Sequence, residues 1–165
     1  MTEGFSALSP STRALVNVPV KPGEDVSAAA IIHDNAGNIL LQLREDLPKV
    51  AFGGYWGLFG GRVEAGETPL IGLARELQEE LSAEPAVAPD LFSTIAWNGG
   101  GIGDVVRTRH YFLVPINPLR LSEFELGEGA DIAIAAAAEV PHTYNVMPHD
   151  HLALSMFWGS VYSSP

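Results

Sequence analysis

Apolar residues recur at Leu70, Leu73, Leu77 and Leu81, with Ala74 beside them, and this three- and four-residue spacing predicts a helix from Pro69 through Ser82 with one buried stripe. Thr68 suits the N-cap, Pro69 the first helical position, and Pro85 supplies a stop beyond Ser82. Elsewhere the pattern is that of strands. The run VSAAAIIHD from Val26 is continuously apolar, DNAGN is a turn, and ILLQLRED alternates with Ile39, Leu41 and Leu43 on one face, which predicts a hairpin. YWGLFGGRV reads as one short strand stopped by Gly60 and Gly61. LFSTIAW and VVRTRHYFLVPI read as two strands joined by NGGGIGD, and DIAIAAAAEV as a last strand running into a turn. The tail HDHLALSMFWGSV predicts a helix apolar over most of its circumference, to be covered either by the core of its own domain or by a second subunit. Ahead of all this, Ala14, Val16, Val18 and Val20 alternate, which permits one edge strand in a lead-in of residues 1–24 before a single domain over 25–165.

Composition narrows the function. With 165 residues, 47% of them hydrophobic, the chain can bury a core of its own. Its net charge of -11, from 20 Asp and Glu against 9 Lys and Arg, argues against duplex nucleic acid or an anionic membrane as partner. There is no cysteine, which excludes a thiol nucleophile, a disulfide frame and a thiolate zinc site. MTEGFSALSP has no basic flank followed by an apolar run, and no stretch approaches the roughly 20 apolar residues of a membrane span, so a cytoplasmic location is expected.

Against that background the glutamates of the predicted helix stand out. Glu76, Glu79 and Glu80 occupy one arc offset from the leucines, although like charges a turn apart repel by about 0.2–0.5 kcal/mol per pair. Before them lie Gly60, Gly61, Glu64 and Glu67. A nitrogen-free oxygen cluster suits a hard cation such as Mg2+, which takes one or two protein carboxylates and shares its remaining positions with water and substrate phosphates. The pattern points to metal-assisted phosphate chemistry, the alternative being a solvated acidic face.

Residues 61–83 resemble the Nudix box of the Nudix hydrolase superfamily. Gly61 stands at its first glycine, Glu67 at its first glutamate, and Arg75, Glu76, Leu77, Glu79 and Glu80 fill the later positions in register. Ser82 replaces the final glycine, Ala83 stands for the last aliphatic residue, and Phe59 stands where many members have proline. The resemblance implies an α/β fold, a Nudix-type alpha/beta/alpha sandwich with a mixed central sheet. It also implies hydrolysis of a nucleoside diphosphate linked to another moiety, with Mg2+ or Mn2+. Glu76, Glu79 and Glu80 would then bind the metal, one of them orienting or deprotonating water, while Arg75 braces the catalytic loop by pairing with Glu67. Glu64 either joins this shell or faces solvent. Gly60 and Gly61, lacking side chains, let the backbone approach a metal or phosphate. Serine at 82 disfavours the left-handed ending that glycine allows, so a different termination with Pro85 as the stop is expected.

Other residues are candidates for substrate binding. Arg107 and Arg109 share a strand face with Tyr111 and either hold a phosphate or form a solvated outer face, and Arg44 at a strand end has the same two readings. Trp56 and Tyr55, just before the box, are placed to stack on a base, the alternative for the tryptophan being the core. Glu128, in FELGEG, falls near where some Nudix enzymes place a late carboxylate. His149 and His151, two apart on a helix, cannot converge on one metal and read as surface or capping residues. A homodimer is expected because many relatives dimerise. The substrate stays open among nucleotide sugars, ADP-ribose-like compounds, dinucleoside polyphosphates and damaged nucleoside triphosphates. Two other functions compete. A catalytically silent ligand-sensing module would ordinarily lose part of the glutamate set, which is complete here, and a diphosphate-lipid isomerase would require a cysteine.

Overall fold

The computed structural model describes residues 16–82, 88–99, 105–116 and 123–162. Strand β1 (Asp25–His33) lies at the centre. It turns through Asp34, whose Oδ1 accepts from the amides of Ala36 and Asn38 at 2.8 Å each, into β2 (Asn38–Leu43). Segment 56–62 follows as two pieces, β3 (Trp56–Gly57) and β4 (Phe59–Arg62). Helix α1 (Pro69–Leu81) is followed by β5 (Asp90–Asn98), β6 (Val106–Pro115), β7 (Asp131–Ala136), the short α2 (Val140–Thr143) and α3 (Pro148–Tyr162).

The sheet is mixed, as expected. β1 and β6 run parallel from Asp25 opposite Arg107 to His33 opposite Pro115, and the other strand-to-strand pairings among the described residues are antiparallel. The strand order is β3-β2-β1-β6-β5, with β4 on β1 and β7 on β2. The second edge of β1 is divided: β2 meets it at His33 and Ile39, while β4 takes Ser27 to Ala30. That division breaks the single strand expected from YWGLFGGRV. Its first half pairs with β2 and its second with β1, and Leu58 stands at the crossing.

One face carries α1, whose Leu73, Leu77 and Leu81 pack with Ala28, Ala30, Ile32, Leu40, Phe59 and Phe112. The opposite face carries α3, whose Ala153, Leu154 and Phe157 pack with Ala29, Ile31, Ile39, Leu41 and Tyr111. The result is the expected alpha/beta/alpha sandwich, and it explains why β2 is buried on both sides rather than alternating. The leucine stripe of α1 is confirmed except at Ala74, which is exposed. On α3 the apolar surface is incompletely covered, leaving Leu152 and Met156 about half exposed.

Two local expectations are corrected. Residues 16–20 form turns and coil rather than an edge strand, and Ala14 lies outside the described residues. Val16 and Val20 are nonetheless buried beside α1, and Val20 is tied to the loop ahead of that helix: its amide donates to Glu67 O at 2.8 Å and its carbonyl accepts from Gly66 at 2.9 Å. Ser82 does take the left-handed conformation, with φ 49° and ψ 35°, and its amide closes the helix on Gln78 O at 3.0 Å. Pro85 lies outside the described residues, so the stop seen here is Ser82 itself.

Candidate active site

Arg75 organises the first part of the site. Its Nε and Nη2 donate to the two Glu67 oxygens at 2.9 and 3.0 Å, the planar fork matching the carboxylate. Nη2 also donates to Arg62 O at 2.9 Å, and Nη1 to Glu76 Oε1 at 2.8 Å and Glu79 Oε2 at 3.4 Å. One guanidinium therefore joins the end of β4, the following loop and two glutamates of α1. Hydrogen bonds from Arg75 hold the Glu67 carboxyl below the usual carboxylate range, outweighing its partial burial. The Glu64 amide donates to Glu67 Oε2 at 2.9 Å, so Glu64 shapes this loop through its backbone, and its residue faces solvent.

Glu80 points the other way, inward, and is 7% exposed. Its Oε2 accepts from the Gly60 amide at 2.7 Å and its Oε1 from Gln42 Nε2 at 3.3 Å. Burial pushes its pKa up to about 7; hydrogen bonds from Gly60 and Gln42 oppose that, and the nearby Glu76 charge adds to it. The glycine pair is sterically required. Gly60 has φ +128°, and a Cβ there would strike the Ala28 carbonyl, while one on Gly61 would strike the Glu76 carboxylate. Gly61 thus leaves room for Glu76, while Gly60 lets β4 close onto β1 and offers its amide to Glu80.

Gln42 reaches across this point, donating also to Glu128 O at 2.8 Å. Gln42, Arg44, Glu80, Glu128 and Gly129 line a common cavity of about 150 Å3, which brings Arg44 and Glu128 to the carboxylates. Arg44 Nε itself donates to Ala51 O at 2.9 Å. A larger cavity of about 670 Å3 lies beside the other end of α1, lined by Val20, Pro69, Thr94, Thr108 and His110 among others and by none of the box glutamates.

The remaining candidates stand elsewhere. Arg107 pairs with Asp25 at 3.2 Å on the half-exposed end of the sheet. Arg109 is buried with its Nε 3.1 Å from Asp150 Oδ1, close as an ion pair but off the line of a good hydrogen bond. Trp56 packs edge-on against Tyr144 with ring centres 5.2 Å apart, on the α3 side of the core. Of the histidines, His149 departs from the surface reading: it lies flat on Trp97 at 4.8 Å. Two residues of this neighbourhood escape sequence reasoning. Gln42 is marked only as the polar residue in an otherwise apolar strand. Asp150, fully buried, accepts from Tyr111 Oη and the Leu58 amide at 2.9 Å each, and nothing in HDH distinguishes it from a solvated helix start.

The donor set suits a divalent cation. All its groups are oxygens, and buried Glu80 beside Glu76 is an acidic pair whose repulsion a cation would relieve. Among the described residues no three such side chains converge on one point, because Arg75 draws Glu76 and Glu79 aside while Glu80 turns to Gly60. Mg2+ needs only one or two protein carboxylates when phosphates supply further ligands.

Comparison with known proteins identifies the family and the fold. A family model described as the NUDIX domain matches residues 23–138. An uncharacterized Nudix hydrolase of Pseudomonas aeruginosa is 31% identical over 132 residues, 77% of this chain and 73% of the relative. An 8-oxo-dGTP diphosphatase of Proteus vulgaris is 40% identical over 57 residues, 34% of this chain and 49% of the relative. Among solved structures, a MutT protein from Methanosarcina mazei superposes with a TM-score of 0.68 at 19% identity, over 86% of this chain and 97% of that one, a likeness of fold. The chain belongs to the Nudix family and is a Nudix hydrolase. No helix among the described residues is long and apolar enough to cross a membrane.

Proposed function

We propose that this Nudix hydrolase is a divalent-metal-dependent pyrophosphohydrolase that cleaves a nucleoside diphosphate linked to another moiety. The observation that carries the reading is the placing of buried Glu80 beside Glu76 at the Gly60–Gly61 pair of β4, braced by the Arg75 fork on Glu67. Glu76, Glu79 and Glu80 would hold Mg2+ or Mn2+, with the Gly60 backbone alongside. When bound, such an ion screens the diphosphate charge and lowers the pKa of a water it carries. Arg75 fixes where Glu76 and Glu79 can reach, and Glu67 fixes Arg75. Arg44 supplies a cation on the cavity wall, opposite Glu80 and Glu128, that counters substrate phosphate. The complete glutamate set weighs against a silent sensor. The expected homodimer rests on the half-exposed Leu152 and Met156 of α3.

A turnover screen tests the reading. Purified protein with Mg2+ is offered nucleotide sugars, ADP-ribose, dinucleoside polyphosphates, and normal and oxidised nucleoside triphosphates, and the products are identified by chromatography. Cleavage of one class is expected, falling by about a hundredfold or more in Glu79→Gln and on chelation. A folded protein that binds Mg2+ yet cleaves none of them would overturn it, as would turnover indifferent to the chelator.

A further inference from the structure

Next to the carboxylate cavity, loop 51–55 and the first turn of α3 assemble a row of aromatic rings. Tyr55 stands edge-on to Phe52 at 5.7 Å, Phe52 edge-on to His149 at 5.7 Å, and His149 lies parallel to Trp97 at 4.8 Å and 12°. Packing alone does not account for Phe52. It is 41% exposed and adopts φ 55°, a left-handed conformation unfavourable for a bulky side chain, yet it is aimed at His149. Cations flank the row: Arg107 sits directly opposite Trp97 in the β5–β6 register, and the charges of Arg109, Arg44 and Arg107 all reach His149. Burial holds the His149 pKa below its usual value, outweighing the opposing pull of Asp150, so the stack is one of neutral rings at pH 7. Arg44 adjoins both places, lining the cavity with Glu80 and Glu128 and donating from Nε to Ala51 O, next to Phe52, at 2.9 Å.

We propose that the row Tyr55, Phe52, His149 and Trp97 is the docking surface for the planar heterocycle of the substrate, a nucleobase, with Arg44 between it and the catalytic carboxylates. The inference rests on the nucleotide hydrolase reading and adds to it the part of the site that holds the base. Every base has a π-face, so stacked and edge-on rings bind it without hydrogen-bond readout, while Arg44 donates to the adjoining phosphate.

Binding and turnover are measured separately. Tryptophan emission and calorimetry are followed while adenosine and guanosine 5′-diphosphates are titrated in, with Mg2+ and with chelator, well below each variant's Tm; ribose 5-phosphate is the base-free control. The nucleotides are expected to quench emission and to bind at least tenfold more tightly than ribose 5-phosphate. Trp97→Phe should abolish most of the quench, while Phe52→Ala and His149→Ala should each raise Kd about tenfold. Phe52→Ala alters an exposed loop residue and leaves the core intact, so its effect does not depend on folding. Nucleotide affinity unchanged in both alanine variants, ribose 5-phosphate binding as tightly as the nucleotides, or no nucleotide binding at millimolar concentration would each overturn the proposal. If nucleotides bind through the rings and nothing is cleaved, the hydrolase reading fails and the ring row stands. If cleavage is lost in Glu79→Gln while the ring variants keep both turnover and Kd, the ring row fails and the hydrolase reading stands.

Discussion

Glu80 carries the largest electrostatic tension of any single residue in the site. Its pKa, raised from 4.5 to about 7 by burial, makes the folded protein hold a proton that the unfolded chain has already released. Below about pH 4.5 both states are protonated and Glu80 contributes nothing; between 4.5 and 7 stability declines as pH rises, and above 7 the full cost is present. Glu80→Gln should therefore match the wild type near pH 4.5 and exceed it by on the order of 2 kcal/mol at pH 8, in urea denaturation without divalent metal. Adding Mg2+ should narrow that margin, because a cation favours the charged carboxylate. The sequence places Glu76, Glu79 and Glu80 on one arc but does not separate their fates. A helical wheel shows angle alone, whereas Glu80 is drawn inward by the Gly60 amide and Gln42, and Glu79 remains at the solvent edge of Arg75.

Helix α1 is the most legible element, because each of its signals is local. Thr68 Oγ1 accepts from the Ile71 amide at 3.3 Å, Pro69 opens the first turn, and the leucine period matches the buried face. Its end is less legible, because backbone energetics disfavour Ser82 at φ 49° and the fold imposes that conformation regardless. Ser82→Gly, which removes the Cβ conflict without removing a side-chain contact shown here, should stabilise the protein by about 1 kcal/mol by chemical denaturation. The division of segment 56–62 into β3 and β4 is not legible at all. It depends on which strands lie beside it, and the partners of β4 belong to residues about thirty positions away in the chain.

Across the whole molecule, Asp150 joins parts that no local pattern connects: α3, the β3–β4 crossing at Leu58, and Tyr111 and Arg109 of β6. Burial and the Asp150 charge, in that order, keep the Tyr111 phenol protonated far above the usual range. Asp150→Ala would leave the Leu58 amide and the Tyr111 hydroxyl without their acceptor and the buried Arg109 guanidinium without its counter-charge, and should lower stability by about 3–5 kcal/mol at pH 7 in guanidinium titration. Alternation and apolar runs identify the strands but not their neighbours, since parallel pairing leaves no short-range mark. The central pair, β1 with β6, joins residues about eighty positions apart. A growing chain emerging from a ribosome therefore carries its first hairpin and its glutamate helix well before the strand that locks them into one sheet exists. Until residue 115 has been made, Ala28 to Ile32 have an unfilled edge, and the Asp150 anchor that ties Leu58 to α3 is added later still. Catalytic competence arrives late in synthesis, only once distant parts of the chain have met.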